Sequence, residues 1–159
     1  MINKELFLGI DLGTVNTSYS YADSEGTVTV GVFSDGETLM PSAIRFTNRG
    51  KIVGRKALTQ GTDRANYAAN FKRQMGTEIY RKVSDSVYSP TEMSAIVIRK
   101  TLLDYRERTG DMARNAVISV PGDYSTPARI ATKDAARVAG LESATLINEI
   151  GRASCRERV

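Results

Sequence analysis

The 159-residue sequence contains no histidine and no tryptophan, and its one cysteine, Cys155, lies near the C-terminus. Without histidine, every nucleophile–base pair that uses an imidazole is excluded. A single cysteine cannot form an internal disulfide, and zinc sites of the usual cysteine and histidine type are excluded as well. Chemistry in this chain must therefore come from carboxylates, lysine, backbone amides and a metal ion.

The sequence also lacks a long apolar run and a secretory signal. No apolar segment is long enough to span a bilayer, and Met1-Ile2-Asn3-Lys4-Glu5 has none of the features of a signal peptide. Aromatic residues make up only 7% of the chain and hydrophobic residues 41%, which is ordinary for a soluble α/β protein. We expect a cytoplasmic location and no membrane partner.

Residues 150–159 differ from the rest of the chain. Translated back into codons as ATC GGA AGA GCG TCG TGT AGG GAA AGA GTG, they match the stem of a common short-read sequencing adapter. We therefore interpret them as a non-native tail rather than a native basic one. The tail holds three of the 22 basic residues and one of the 18 acidic ones, so without it the net charge falls from +4 to +2. This small charge gives little support for a nucleic-acid partner.

The N-terminal part of the sequence has the two-residue period of β-strands. The alternation occurs at 6–12, 17–22 and 27–32, and Asp23-Ser24-Glu25-Gly26 is a turn signal. Short connections between three strands predict an antiparallel meander. From about 34 to 89 the pattern is irregular, and we predict an inserted subdomain with brief strands near 42–46 and 51–53 followed by short helices.

Regular patterns return at Ser89-Pro90-Thr91-Glu92, a capping box with proline at the first helical position. Apolar residues then follow helical spacing as far as Gly110, which ends the helix. The remaining predicted elements are a buried strand at Asn115–Val120, a helix capped by Thr126 with Pro127 in its first turn and ended by Gly140, and a strand beginning at 144–148. This strand–helix–strand order implies a right-handed parallel crossover. The predicted fold is α/β, a mixed sheet of three antiparallel strands plus parallel βαβ units.

The bend Asp11-Leu12-Gly13-Thr14-Val15-Asn16 between the first two strands is the first candidate site. Asp11 ends a strand on the face opposite to the leucines. Gly13 can adopt a positive φ, which lets successive backbone N–H groups point into one concavity. A carboxylate beside such amides suits a phosphate chain bridged by Mg²⁺, although the segment alone also fits an ordinary polar hairpin. The sequence has no Gly-x-x-x-x-Gly-Lys-[Ser/Thr] loop, so the P-loop solution is excluded.

Three further segments contain charged residues that fit phosphate chemistry. Each also has a simpler explanation: a solvated lysine, a solvated basic helix face, and a strand that happens to end in an acid. The residues are Lys72 in Phe71-Lys72-Arg73, the helical set Arg129, Lys133 and Arg137 after the strand that stops at Pro121, and Glu149 after Leu146-Ile147-Asn148.

Eight segments together resemble, in order and spacing, the first half of the nucleotide-binding domain of DnaK-type (seventy-kilodalton heat-shock) chaperones. They are Gly9-Ile10-Asp11-Leu12-Gly13-Thr14, Met40-Pro41-Ser42, Ile52-Val53-Gly54, Phe71-Lys72-Arg73, Val117-Ile118-Ser119-Val120-Pro121, Ala131-Thr132-Lys133-Asp134-Ala135, Ala139-Gly140-Leu141 and Leu146-Ile147-Asn148-Glu149. The resemblance covers essentially all of residues 6–149. It implies a truncated lobe of the actin-like ATPase (ribonuclease H-like) fold over 1–149, with 1–33 and 90–149 as its core and about 34–89 as the inserted subdomain.

The resemblance also implies which residues bind a magnesium nucleotide. Asp11 would hold Mg²⁺ through water. Gly13, Thr14 and Val15 would offer backbone amides to the phosphates of ATP or ADP. Val15 stands where the family usually has a hydroxyl residue, which a backbone N–H contact tolerates.

Catalytic and coupling roles follow from the same resemblance. Lys72 would contact the γ-phosphate and help to place the attacking water, which Glu149 would orient or deprotonate. Pro121 and Arg129 match the pair that relays the nucleotide state to the substrate-binding domain. Gly122-Asp123-Tyr124 follows Pro121 where the family typically has Ala-Tyr-Phe, so we interpret the chain as a divergent member whose coupling is in question.

The function implied by the resemblance is an ATPase that drives a chaperone cycle. It would act on unfolded client polypeptides through a missing substrate-binding domain, with a J-domain co-chaperone and a nucleotide exchange factor. Two alternatives stay open: another actin-like ATPase or sugar kinase, against which the Lys72 and Pro121–Arg129 segments argue, and a nucleotide-binding interaction module that does not hydrolyse ATP. Because the second lobe is absent, we expect the 159-residue chain alone to bind ATP weakly and to show no useful turnover.

Overall fold

The computed structural model describes residues 7–59, 63–83 and 85–149. The predictions for Leu6 and for residues 150–159 lie outside these residues. The strands are β1 Phe7–Leu12, β2 Asn16–Ala22, β3 Val28–Val30, β4 Met40–Pro41, β5 Ala43–Thr47, β6 Gly50–Val53, β7 Tyr67–Ala69, β8 Arg81–Val83, β9 Ser86–Tyr88, β10 Asn115–Val120 and β11 Ser143–Asn148. The helices are α1 Arg55–Thr59, the 3-10 helix Phe71–Gln74, α2 Pro90–Thr109 and α3 Thr126–Ala139.

Six strands form the main sheet, in the order β11-β10-β1-β2-β3 with β4 also paired to β2. The first three strands are antiparallel neighbours, so the predicted meander is confirmed. β10 lies parallel to β1, and β11 lies parallel to β10, connected through α3. The predicted mixed sheet is confirmed, and its parallel part places the carboxyl ends of β1, β10 and β11 at one edge.

The core lies between this sheet and the two long helices. Leu8, Ile10 and Leu12 alternate along β1 and are at most 2% exposed, which puts all three on the face covered by helices. Ala116, Ile118 and Val120 are likewise buried in β10, and Ala116 and Ile118 share one hydrophobic cluster with Val97, Ile98 and Tyr105 of α2. Each large apolar side chain buried in this way contributes roughly 1.5–3 kcal/mol. The alternation leaves Asp11 on the opposite, exposed face of the sheet.

The two long helices begin and end at local signals. Ser89 Oγ accepts a hydrogen bond from Glu92 N, and Ser89 N donates to Glu92 Oε2, which forms the predicted capping box of α2. Gly110 and Gly140 end α2 and α3 in left-handed conformations, as expected. Thr126 as the cap of α3 is wrong: Ser125 has the extended backbone and its Oγ accepts from Ala128 N, whereas Thr126 is already helical.

The segment between β3 and α2 forms two small antiparallel sheets, β6-β5-β7 and β8-β9. β5 and β6 agree with the predicted brief strands, whereas the predictions omitted β4, β7, β8 and β9. β4 pairs with β2, so the main sheet reaches into this segment. The third strand of the meander is shorter than predicted and ends at Val30, one residue before Gly31 packs against the ring of Tyr19. The division into a core and an inserted subdomain stays a prediction.

Among the helices of the described residues, none is both long and apolar enough to cross a membrane.

Candidate functional site

The parallel strands bring the predicted acids to one edge of the sheet. Asp11 pairs with Ser119 of β10, and Ser119 pairs in turn with Ile147 of β11. Glu149 follows β11 directly, and its backbone N–H donates to Val120 O at 2.7 Å, which continues the ladder by one more bond. Asp11 and Glu149 therefore lie at the same edge, with β10 between their strands.

Asp11 is exposed, and one of its oxygens is oriented by a neighbour. Its Oδ1 accepts a hydrogen bond of 2.7 Å from Ser119 Oγ. This hydrogen bond from the Ser119 hydroxyl fixes the rotamer of the Asp11 carboxylate. Ser119 was not a predicted site residue, because only the parallel register places it opposite Asp11.

The bend after β1 is close-packed, but not for the reason expected. Within the described residues, the positive-φ glycines do not include Gly13, so this residue does not use the left-handed conformation that glycine permits. A Cβ built on Gly13 would lie 2.0 Å from Asn16 O. Glycine is required here because the backbone of the bend returns close to itself. Val15 leaves its side chain 63% exposed, so its contribution to a site is through the backbone.

Ser42 holds this bend from the side. Its Oγ donates to Gly13 O at 2.8 Å, and its backbone N–H donates to Val15 O at 2.7 Å. The Oγ also lies 2.9 Å from the hydroxyl of Thr17, and both hydroxyl residues are at most 2% exposed. The Met40-Pro41-Ser42 segment belonged to the resemblance, but no role could be assigned to Ser42 from the sequence.

Lys72 and Glu149 form an ion pair, although they are 77 residues apart in sequence. Lys72 Nζ lies 3.0 Å from Glu149 Oε1. The lysine side chain is 5% exposed, while the glutamate side chain is 40% exposed. A buried ammonium requires a hydrogen-bonded anion, and the acid at the end of β11 supplies it. The carboxylate remains accessible to water on its other side.

Tyr124 packs against the same lysine. Its hydroxyl donates to Lys72 O at 2.9 Å, and its ring centroid lies 5.9 Å from Lys72 Nζ. Burial, with smaller contributions from the negative charges of Glu149 and Asp123, raises the pKa of Tyr124 to about 12. The phenol is therefore a neutral hydrogen-bond donor near pH 7.

Arg129 connects α3 to the loop after Pro121. Its Nε donates to Tyr124 O at 3.3 Å, and its Nη2 donates to Asn148 Oδ1 at 2.6 Å. The loop itself turns through the Tyr124 N–H, which donates to Pro121 O. The predicted coupling pair is thus joined to the end of β11, next to Glu149. The other two members of the basic set, Lys133 and Arg137, are exposed, and Arg137 pairs with Asp134.

Some of the predicted site residues are therefore in direct contact, and others are connected through a third residue. Lys72 and Glu149 are in contact, and the Pro121–Arg129 loop reaches them through Tyr124. Asp11 lies on the same sheet edge but contacts Ser119 of the intervening strand. In the described parts of the chain, no three potential ligands of the carboxylate, histidine or cysteine type cluster around one point.

Comparison with known proteins identifies the fold and then the family. The fold is that of the actin-like ATPase nucleotide-binding domain, because the model for the family described as Hsp70 protein matches residues 7–86 and 78–155. The chain belongs to the Hsp70 family.

Individual relatives agree with this assignment. The chaperone protein DnaK of Thermotoga neapolitana, of Thermotoga petrophila and of Thermotoga maritima is in each case 36% identical over 148 residues, which cover 92% of this chain. The chain spans about a quarter of the length of these relatives, since the match covers 25% of each.

Proposed function

We propose that this chain supplies the first lobe of the ATPase domain of a DnaK-type chaperone, which hydrolyses ATP to ADP and phosphate. The observation that supports this most directly is the Lys72–Glu149 ion pair, at 3.0 Å, on the sheet edge that also holds Asp11. Membership of the Hsp70 family and the name of the relatives, chaperone protein DnaK, agree with it. Another actin-like ATPase or sugar kinase is disfavoured by the same family assignment.

The ion pair suits phosphoryl transfer to water. This reaction requires positioning and neutralisation of charge rather than covalent chemistry by the protein. In the proposal Lys72 presents its ammonium to the terminal phosphate, and Glu149 orients the attacking water or accepts its proton. The burial of Lys72 strengthens its interaction with an anion, while the exposed side of Glu149 leaves room for water.

Asp11 and the bend after it fit a magnesium nucleotide. Mg²⁺ usually keeps several waters and takes one or two carboxylates together with substrate phosphates, so one exposed, oriented carboxylate is a sufficient protein contribution. When bound, the ion neutralises phosphate charge. Ser119 fixes the Asp11 carboxylate, and Ser42 fixes the bend whose residues Gly13, Thr14 and Val15 offer backbone amides.

The wider chaperone cycle is part of the same proposal. Pro121 and Arg129 relay the nucleotide state to a domain that binds unfolded client polypeptides, and a J-domain co-chaperone and a nucleotide exchange factor regulate the cycle in the cytoplasm. The support is the family assignment and the hydrogen bonds that connect Arg129 to the loop after Pro121 and to Asn148.

Lys72→Met in the full-length protein tests the catalytic role. We expect single-turnover hydrolysis of ATP to fall about a hundredfold or more, with ATP affinity changed far less, because one well-aimed charge is lost where negative charge develops. The fold should survive, since Glu149 is 40% exposed and can be hydrated without its partner.

Lys133→Met is the matched control, because Lys133 is an exposed lysine on α3. It should leave both hydrolysis and affinity unchanged. Unaltered hydrolysis in Lys72→Met would refute the proposal. A wild-type protein that binds ATP without turnover would favour the non-hydrolysing interaction module instead.

A further inference from the structure

Tyr124 joins two parts of the site that no backbone ladder connects. Its hydroxyl donates to Lys72 O, the same carbonyl that accepts the Met75 N–H at 3.2 Å. The phenol therefore completes the hydrogen bonding of the 3-10 helix at the residue that bears the buried ammonium. Phenylalanine, which stands at this place in the family pattern described above, has no hydroxyl and cannot form this bond.

The 3-10 helix depends on such contacts. It has only four residues, and its preceding residue, Asn70, is left-handed with no side-chain hydrogen bond to cap the helix. Short 3-10 helices have poor hydrogen-bond geometry and little stability of their own. External contacts must therefore fix the direction in which Lys72 leaves the helix, and the Tyr124 hydroxyl is attached to the backbone of Lys72 itself.

We propose that Tyr124 is a positioning residue, which holds Lys72 against Glu149 and links the loop after Pro121 to the 3-10 helix. This inference rests on the proposed function for its effect on hydrolysis, but not for its effect on the helix. The hydroxyl of Tyr124 donates to Lys72 O, and the backbone carbonyl of Tyr124 accepts from Arg129 Nε. Arg129 also reaches Asn148, the residue before Glu149. A shift of the loop therefore changes the distance between ammonium and carboxylate.

Tyr124→Phe in the full-length protein is the experiment, because it removes the hydroxyl and keeps the ring beside Lys72. Two quantities are measured: amide hydrogen exchange over 71–77, and single-turnover ATP hydrolysis with ATP affinity determined separately. We expect exchange in this segment to rise while exchange in α2 stays unchanged. Hydrolysis at saturating ATP should fall by about fivefold with unaltered affinity, as for the loss of one net hydrogen bond.

Tyr19→Phe is the matched control. Tyr19 is buried and its hydroxyl donates to Val32 O at 3.0 Å, so the variant loses the same kind of bond elsewhere in the domain. It should lower thermal stability without changing exchange over 71–77 or the rate of hydrolysis. A general loss of stability thus lowers the thermal stability of both variants, whereas the positioning effect changes exchange over 71–77 and the rate of hydrolysis only in Tyr124→Phe.

The outcomes separate this inference from the proposed function. If exchange over 71–77 is the same in Tyr124→Phe and the wild type, Tyr124 does not hold the helix and the inference is wrong. If exchange rises and the rate is unchanged, the positioning of Lys72 for hydrolysis is refuted. If the wild type does not hydrolyse ATP, the proposed function fails, and a rise in exchange still supports the link between Tyr124 and the 3-10 helix.

Discussion

The two members of the Lys72–Glu149 pair reach the same point by different means. Glu149 is placed by backbone: it extends β11, and its N–H continues the ladder to Val120 O. Lys72 lies on a four-residue 3-10 helix outside the three sheets, and side chains and loops from other elements hold it there. A register set by many equivalent bonds tolerates single substitutions, whereas a position set by a few unlike contacts does not. The lysine side is therefore the vulnerable half of the site.

On the lysine side of the site, the close approach of Gly76 to α3 is a contact that a substitution can test. Gly76 has φ 78°, and a Cβ built on it would lie 2.4 Å from Ala128 N, a backbone atom in the first turn of α3. Gly76→Ala combines left-handed strain with a clash that a side-chain rotation cannot relieve. We expect the free energy of unfolding in urea to fall by about 3 kcal/mol or more.

Gly36→Ala separates the clash from the strain. Gly36 has φ 87° but no atom within 4 Å of a built Cβ, so only the conformational cost of about 1 kcal/mol applies. If the two variants lose the same free energy of unfolding, the packing of Gly76 against α3 does not hold the 3-10 helix segment in place. The contrast between the two halves of the site then fails.

Elements with local signals could be predicted from the sequence, whereas those made by distant partners could not. The helix from Pro90 to Thr109 has its cap, its apolar spacing and its final glycine in one continuous segment. β4 and β7 have two and three residues, too few to show a period, and exist because β2 and β5 provide partners.

The candidate site divides in the same way. The edge that holds Asp11 and Glu149 follows from strand order, and Lys72 could be singled out only through the family resemblance. The contacts of Ser42 with Gly13 and of Tyr124 with Lys72 join a side chain to a backbone carbonyl across 29 and 52 residues. No local pattern specifies such a bond, so these positioning residues emerge only from the structure.

Ser42→Ala tests whether the strand-end half of the site has a weak point of its own. The variant removes the donor to Gly13 O and leaves the buried Thr17 hydroxyl without its partner. We expect a loss of about 2 kcal/mol in the free energy of unfolding, together with weaker ATP binding by the full-length protein, because the bend is less ordered.

A double-mutant cycle with Thr17→Val isolates the hydroxyl pair. The double variant should lose about 1 kcal/mol less free energy of unfolding than the sum of the two single variants, because it contains neither of the two buried hydroxyls. Strict additivity would show that the two hydroxyls act independently. Ser86→Ala, at an exposed position in β9, serves as the control and should change neither stability nor ATP affinity.

The smallest effect concerns alkaline pH and again distinguishes the lysine side. The pKa of Tyr124 is raised from 10.0 to about 12, chiefly by burial, so between these values the unfolded chain has lost a proton that the folded one retains. Stability attributable to Tyr124 is complete below about pH 10 and is lost as the pH rises toward 12.

Tyr124→Phe should therefore lose less of its free energy of unfolding than the wild type between pH 9 and pH 11. Burial also raises the pKa of Tyr19 and Tyr105, which both proteins retain, so the difference is modest. Parallel urea titrations at the two pH values measure it, and equal losses in both proteins would mean that the phenol is hydrated rather than packed against Lys72.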